Sequence, residues 1–227
     1  MSFDIALMLT SFPQLLAGLG MTLQLLGISL VSGLVIAIVT SWARTTRFLR
    51  WPAETYVYFF RGTPLLVQLF VIYFGLPQAE FVRSGPWWPF LREPFWCMCL
   101  ALSLNNGAYV AEIIRGGMLG IGKGLKEASW ALGLSRFHHL RLVTVPIVTR
   151  LCLPTYGNEV VSLMKSTALA STVTLLDVTG VARSIVAETF APYEIFIAAA
   201  LIYLALTFLM QTLVSRLEAR LGRYAQR

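Results

Sequence analysis

Charged side chains are scarce in this chain. Asp, Glu, Lys and Arg make up 13% of its 227 residues, against roughly 25% in an ordinary soluble domain. With 57% of the residues hydrophobic, too little polar surface remains to cover a core, which excludes a soluble globular domain. Groups that ligate metals are equally few. The two histidines and three cysteines show neither a metal-ligand spacing nor a paired disulfide framework. Cys97, Cys99 and Cys152 lie in or beside apolar segments and are read as small buried hydrophobes. No Pro/Ser/Gly-rich linker, low-complexity tract or repeat of obvious period divides the chain, so a single membrane domain is expected over 1–227. A nucleotide site is also missing. The glycine-rich stretch 116–124 lacks the Lys-Ser/Thr ending of a phosphate-cradling loop and comes after a helix instead of a strand. Gly116, Gly120 and Gly124 recur every four residues, a spacing that suits either close helix packing or a flexible lead into the next basic segment.

What is present is a series of long apolar runs. A span needs about 20 mainly apolar residues. Five segments qualify: 18–43, which carries no charge, then 56–76, 94–114, 146–171 and 194–214. The fourth is the least clean, holding Arg150, Pro154, Glu159 and Lys165. An all-α integral membrane protein of five transmembrane helices is therefore expected. The basic residues set its orientation. Connections at 44–50 and 115–141 and the tail hold twelve Lys and Arg; the opposite side holds only Arg83, Arg92 and Arg183. Positive residues accumulate on the cytoplasmic face, which places the N-terminus outside and the C-terminus inside. The net charge of +7 is thus a topology signal and not a footprint for nucleic acid. The leader Met-Ser-Phe-Asp lacks the positive region of a cleaved signal peptide, so the first run is read as a retained anchor helix.

The stretch 127–146 carries the most information. Glu127, Ala128 and Ser129 lead to Gly133, and a basic segment then reaches Val143-Thr-Val-Pro146. Gly133 suits a left-handed helix end, Ser135 an N-cap, and Pro146 the first turn of the next span, where its missing N–H does no harm. Ala128, Ala131 and Leu132 fall on one side of the first helix, with Glu127 near its edge. Residue types alone allow an ordinary capped surface helix as readily as a docking surface. The spacing, however, resembles the EAA loop of permease subunits of ATP-binding-cassette importers, whose pattern is Glu-Ala-Ala, Gly, then Ile-x-Leu-Pro. In that family the loop, here 115–145, seats in a groove of the ATPase and transmits its closure. The resemblance implies ATPase coupling for Glu127, Ala128, Ser129, Gly133 and Pro146, and the type I importer permease fold.

Further marks extend the resemblance along nearly the whole chain. Arg61-Gly-Thr-Pro64-Leu-Leu resembles the Arg-Gly-Thr-Pro-Leu pattern of the polar amino acid branch, and Ala108-Tyr-Val-Ala-Glu112 with Arg115 resembles its third-span signature. Asn158-Glu159-Val160 and Lys165-Ser-Thr-Ala-Leu169 look like the M-type subunit of importers for histidine, lysine, arginine and ornithine, or for opines; relatives with Asp-Thr-Ser after that Lys differ from this chain. On physical grounds Pro64 frees a backbone carbonyl and permits a kink. Arg61 is expected to snorkel near the cytoplasmic end, and Glu112 and Arg115 are spaced for an i,i+3 pair. Structural roles are preferred for these residues and for Lys165.

In the fourth span, Glu159, Ser162 and Ser166 share one helical face, with Asn158, Ser162 and Lys165 on the neighbouring stripe. An ionised group near mid-bilayer costs about 3 kcal/mol or more and marks a pathway. Two readings stand: Asn158, Glu159 and Ser162 line the translocation cavity and meet a substrate's ammonium, or they form a polar stripe satisfied at a subunit interface. The mixed segment after Leu169 and the Trp87, Trp88 and Trp96 region are expected at the outer face as a gate or docking surface and as interfacial anchors. The resemblance implies the inner-membrane subunit of a bacterial importer for polar amino acids, basic ones or opines favoured. It does no chemistry and holds no cofactor; ATP and Mg belong to a pair of partner ATPases. The remaining partners are a related Q-type permease, an extracytoplasmic substrate-binding protein and membrane lipid. A gradient-driven secondary transporter is the competing class, disfavoured because such carriers show paired halves; a non-transporting scaffold is a third.

Overall fold

The computed structural model describes residues 4–222, with side chains described as far as Arg220, and among them no strand occurs. Arg223 and Arg227, which belong to the basic tail, and the first three residues of the leader lie outside them. Helix α1 (Ile5–Ala17) starts at Asp4, whose carboxylate accepts from the Leu7 N–H at 3.0 Å. A short turn at Gly18 leads into α2 (Leu19–Ala43), the uncharged run expected as the first span. Sequence patterning does not separate α1 as an element because its apolar run continues into α2 without a charge or a strong breaker.

The second expected span is two limbs. Helix α3 (Arg50–Gly62) stops at Thr63 and Pro64, both extended, and α4 (Leu65–Phe70) departs at 108° before continuing through a π turn to Gly75. Pro64 supplies no N–H and biases the preceding residue away from helical ψ, which accounts for the break. Backbone exposed inside a membrane must be satisfied by protein. Gln68 does this: its Nε2 donates to the Phe60 and Thr63 carbonyls at 2.9 and 3.0 Å, and Asn105 Nδ2 donates to the same Phe60 carbonyl at 3.1 Å.

Two short helices, α5 (Glu80–Arg83) and α6 (Trp88–Leu91), precede α7 (Pro94–Leu119), the longest buried helix and the axis of the bundle. Helix α2 runs parallel to α7 along its length, Gly33 abutting Asn106 and Arg44 reaching Glu112. Next come α8 (Lys123–Ala131) and α9 (Arg136–His139), then a π turn over Leu140–Thr144 into α10 (Val145–Ser166). Pro146 sits in the first turn of α10, and the helical path runs on from Arg136 to Val173 without a break. The wider π turn just before the proline lets the helix pass a residue with no N–H to give.

Helix α10 packs antiparallel on α7. After a bend of 45° comes α11 (Val178–Thr189), and α12 (Pro192–Gly222) returns along α10, Gly157 facing Val214. Three straight helices are long and apolar enough to cross a membrane, and two bent pairs bring the candidate crossings to five if each pair counts as one span. Leu102, Met98, Leu69 and Met164 centre the main apolar cluster, and α1, α11 and α12 enclose a second around Leu15, Val178 and Ile195. The ends of α2, α7 and α12 that carry Arg44, Arg115, Arg216 and Arg220 gather at one end of the bundle.

Candidate functional site: the elbow, the arginine knot and the polar face of the fourth span

The elbow between α7 and α10 is built from local rules. Helix α8 ends in a paired closure: the Leu134 N–H donates to the Ser129 carbonyl at 3.1 Å and the Gly133 N–H to the Trp130 carbonyl at 2.9 Å. This motif requires a left-handed residue, and Gly133 has φ of +71°. Ser135 then caps α9, accepting from the His138 N–H. Ser129 turns inward, buried, its Oγ 2.7 Å from both the Lys126 carbonyl and His139 Nδ1. With its one proton given to the carbonyl, the hydroxyl accepts from His139, and the Trp130 indole stacks on the same imidazole at 5.6 Å. These contacts tie α8 to the start of the long rod.

The outer face of α8 is left open. Glu127, Ala128, Ala131 and Leu132 are exposed, Leu132 at 79%, and Glu127 has no ion-pair or hydrogen-bond partner among the described residues. Of the Glu-Ala-Ser trio, then, two point outward and Ser129 secures the elbow from behind. Leu125 and Phe137 add exposed apolar surface nearby.

Two turns before α7 ends at the elbow, Glu112 gathers three arginines. Arg115 Nε donates to it at 2.9 Å as the i,i+3 spacing implies, Arg44 Nη1 reaches the other carboxylate oxygen at 2.9 Å, and Arg61 Nη1 stands 3.9 Å away. The Arg61 guanidinium lies over the Tyr109 ring at 5.3 Å and shares Glu112 with Arg44, which caps the end of α2.

In α10, Asn158, Ser162 and Lys165 share one exposed face, whereas Glu159 turns half-buried toward α7, where Asn106 Nδ2 approaches its Oε1 at 3.5 Å. The structure therefore separates Glu159 from Asn158 and Ser162 by one helical step. The four-residue glycine spacing is likewise not a packing seam: Gly116 and Gly124 meet nothing, Gly120 only approaches Leu151, and Gly117 makes the close approach, against Cys152.

Several polar residues with structural weight are not singled out by sequence patterning. Gln68, Asn105 and Asn106 look like ordinary polar interruptions until the break and Glu159 are placed. Asp177 reads only as part of a mixed segment. It is fully buried, caps α11 by accepting from the Gly180 and Thr179 N–H groups at 2.9 and 3.1 Å, and accepts from Tyr203 Oη at 2.9 Å. An Asp just before an apolar helix was an available N-cap signal.

A bundle of apolar helices with an unpaired elbow at one end and a polar stripe along one helix is the build of a solute-transport subunit. The chain belongs to the family described as binding-protein-dependent transport system inner membrane component, whose model matches residues 29–223, and it is a multi-pass inner-membrane protein. It is 44% identical over 220 residues to an octopine transport system permease protein of Rhizobium meliloti, covering 96% of this chain and 90% of that one. A nopaline transport system permease protein of Agrobacterium fabrum (strain C58 / ATCC 33970) is 47% identical over 219 residues, 95% and 90% of the two chains. A solved amino acid ABC transporter with histidines superposes with a TM-score of 0.86 at 33% identity, covering 97% of this chain and all of that one.

Proposed function

We propose that this chain is the membrane subunit of an ATP-driven importer that carries polar amino acids, basic ones or opines, into the cell. Family membership and the opine-permease relatives support that reading over a gradient-driven carrier. The single observation that carries the coupling step is the elbow: a helix pinned from behind by Ser129, His139 and Trp130 while Glu127, Ala128, Ala131 and Leu132 stand open in front. Small side chains let another backbone approach closely, and an unpaired carboxylate offers a charge to a basic partner.

The rod then makes transmission mechanical. Because α9, the π turn and α10 are continuous over Arg136–Val173, a push on α8 is delivered as rigid-body motion to the face bearing Asn158 and Ser162. Exposed polar groups on a membrane helix do not face lipid, so that face lines a cavity or meets a second permease subunit. A related Q-type chain is the proposed second permease. The two permeases would stand on two ATPases, with ATP and Mg held by the ATPases and substrate delivered by an external binding protein. Nucleotide binding closes the ATPases, the elbows move with them, and the cavity turns outward; hydrolysis resets it. Glu159, with Asn158 and Ser162, is the proposed contact for the substrate's ammonium.

Orientation rests on the basic ends gathered on one side of the bundle, N-terminus out and elbow inside. An impermeant thiol reagent should label Ala128→Cys only in inverted vesicles. The central test is co-purification with the ATPase and ATP-dependent uptake in proteoliposomes. Glu127→Arg combined with Gly133→Val should abolish both while the protein still folds; wild-type attachment and uptake by that double variant would sink the reading.

A further inference from the structure

An apolar groove of about 660 Å³ runs between α2, α7 and the start of α10 at the basic end of the bundle. Among the described residues, none that lines it is charged, and the hydroxyls of Thr45 and Thr149 donate to nearby carbonyls of their own segments at 2.7 and 2.8 Å. Such walls offer nothing to a polar solute such as an amino acid. Ile38, Trp42, Leu140 and Val145 line the groove and are also exposed, so it opens sideways onto the surface of the bundle. On α10 the lining runs from Val145 to Tyr156, about 16 Å of helix at 1.5 Å per residue. That matches one leaflet of hydrocarbon, about 15 Å deep.

Cations stand at its mouth. Arg141 follows Leu140 and precedes Thr144, both of which line the groove, and Arg47 comes two residues after Thr45 at the end of the α2 wall. Both arginines are exposed, and neither has an ion-pair or hydrogen-bond partner among the described residues. Acids at that end are already matched, Glu112 by Arg44 and Arg115 and Glu54 by Arg50 at 2.8 Å. Trp42, Phe48 and Trp51 are exposed around the same turn. Aromatic and basic residues together mark the headgroup level of a membrane protein, and basic pockets between helices take anionic headgroups. We propose that this groove holds one anionic phospholipid, its acyl chain along Val145–Tyr156 and its phosphate at the mouth that Arg47 and Arg141 border. A partner helix would account for the apolar walls alone; a lipid accounts for the walls and both cations. The site is separate from whatever solute the permease carries. Because α10 forms one wall, the bound lipid packs between the coupling rod and the α2–α7 pair.

The test is photolabelling of the full permease, purified with its partner subunits, in nanodiscs of phosphatidylcholine. Phosphatidylglycerol or phosphatidylcholine bearing a diazirine on one acyl chain is added at the same low mole fraction, and adducts are mapped to peptides. In the wild type the phosphatidylglycerol probe should label segments 34–45, 110–118 and 140–156 about tenfold more than the neutral probe, the scale of two basic residues near a headgroup. Arg47→Gln combined with Arg141→Gln should bring that ratio close to one. Both are exposed positions without structural partners, so the variant keeps its fold. Ile38→Trp, which fills the groove, should cut labelling by both probes several-fold and leave adducts around Trp87 and Trp96 unchanged. The proposal falls if the double variant keeps the wild-type ratio, or if the two probes label the wild-type groove equally, as bulk bilayer would. It also falls if Ile38→Trp leaves groove labelling unchanged, or if neither probe reaches the groove in the assembled complex, the result expected where a second permease covers it.

Discussion

Glu112 and Glu127 lie at the same end of the bundle and have opposite circumstances. Glu112 is held between three arginines brought by α2, α3 and α7, with 21% of its side chain exposed. Glu127 stands on the open face of α8 with no partner among the described residues. One carboxylate is consumed by its own fold; the other is left for something outside the chain. Polar residues in a membrane protein can be sorted on this basis. Charge neutralised across helices holds the architecture, and charge left open on a pinned helix marks an attachment surface.

Substitutions can break that contrast. The largest stability loss is expected from Glu112→Ala, which strands Arg44 and Arg115 without an anion. About 3 kcal/mol is the expected scale, the lower end for breaking a buried pair because Glu112 keeps some exposure. Thermal unfolding in detergent measures it, and a midpoint equal to wild type would show the knot to be dispensable. Asp177→Ala comes next at about 2 kcal/mol, combining a lost N-cap with the lost Tyr203 hydrogen bond, while the Thr179 hydroxyl stays within 3.1 Å of Tyr203 Oη. Its signature is early hydrogen exchange in α11.

Gly133→Ala should cost about 1–2 kcal/mol, since φ of +71° is strained for a residue with a Cβ. Coupling between ATP hydrolysis and uptake should fall further than stability does. Glu127→Ala is the smallest in stability, within about 0.5 kcal/mol as for an exposed site free of special features, yet uptake and ATPase attachment should drop. If Glu127→Ala destabilised the fold as much as Glu112→Ala, the contrast between the two carboxylates would vanish.

Local chemistry is the legible part. The uncharged run of α2, the left-handed Gly133, the Ser135 cap and the Glu112–Arg115 pair all come from residues within a few positions of each other, where helical geometry fixes who meets whom. Arg61 meets Tyr109 and Glu112 only through the packing of α3 on α7, and the 108° bend after it has a size no local rule supplies; a proline predicts that a helix breaks, not where its limbs go. Ser129 reads as part of the docking trio and instead holds His139, a contact across two helices. Gln68 and Asn105 gain meaning only once the carbonyls freed at Pro64 need donors.

The order of amino acids was enough to establish that this chain lives in a membrane, which runs are apolar enough to cross it, and where an elbow interrupts them. Each of those depends on apolar run length, helix-end chemistry and the placement of basic residues, all of which act over short distances along the chain. Which charges cancel and which remain open was settled by helix packing alone. Arg44, Arg61, Asn106, Asp177 and Tyr203 find their partners only when helices distant in sequence pack side by side, and inside a bilayer a polar group's role is set by what it meets there.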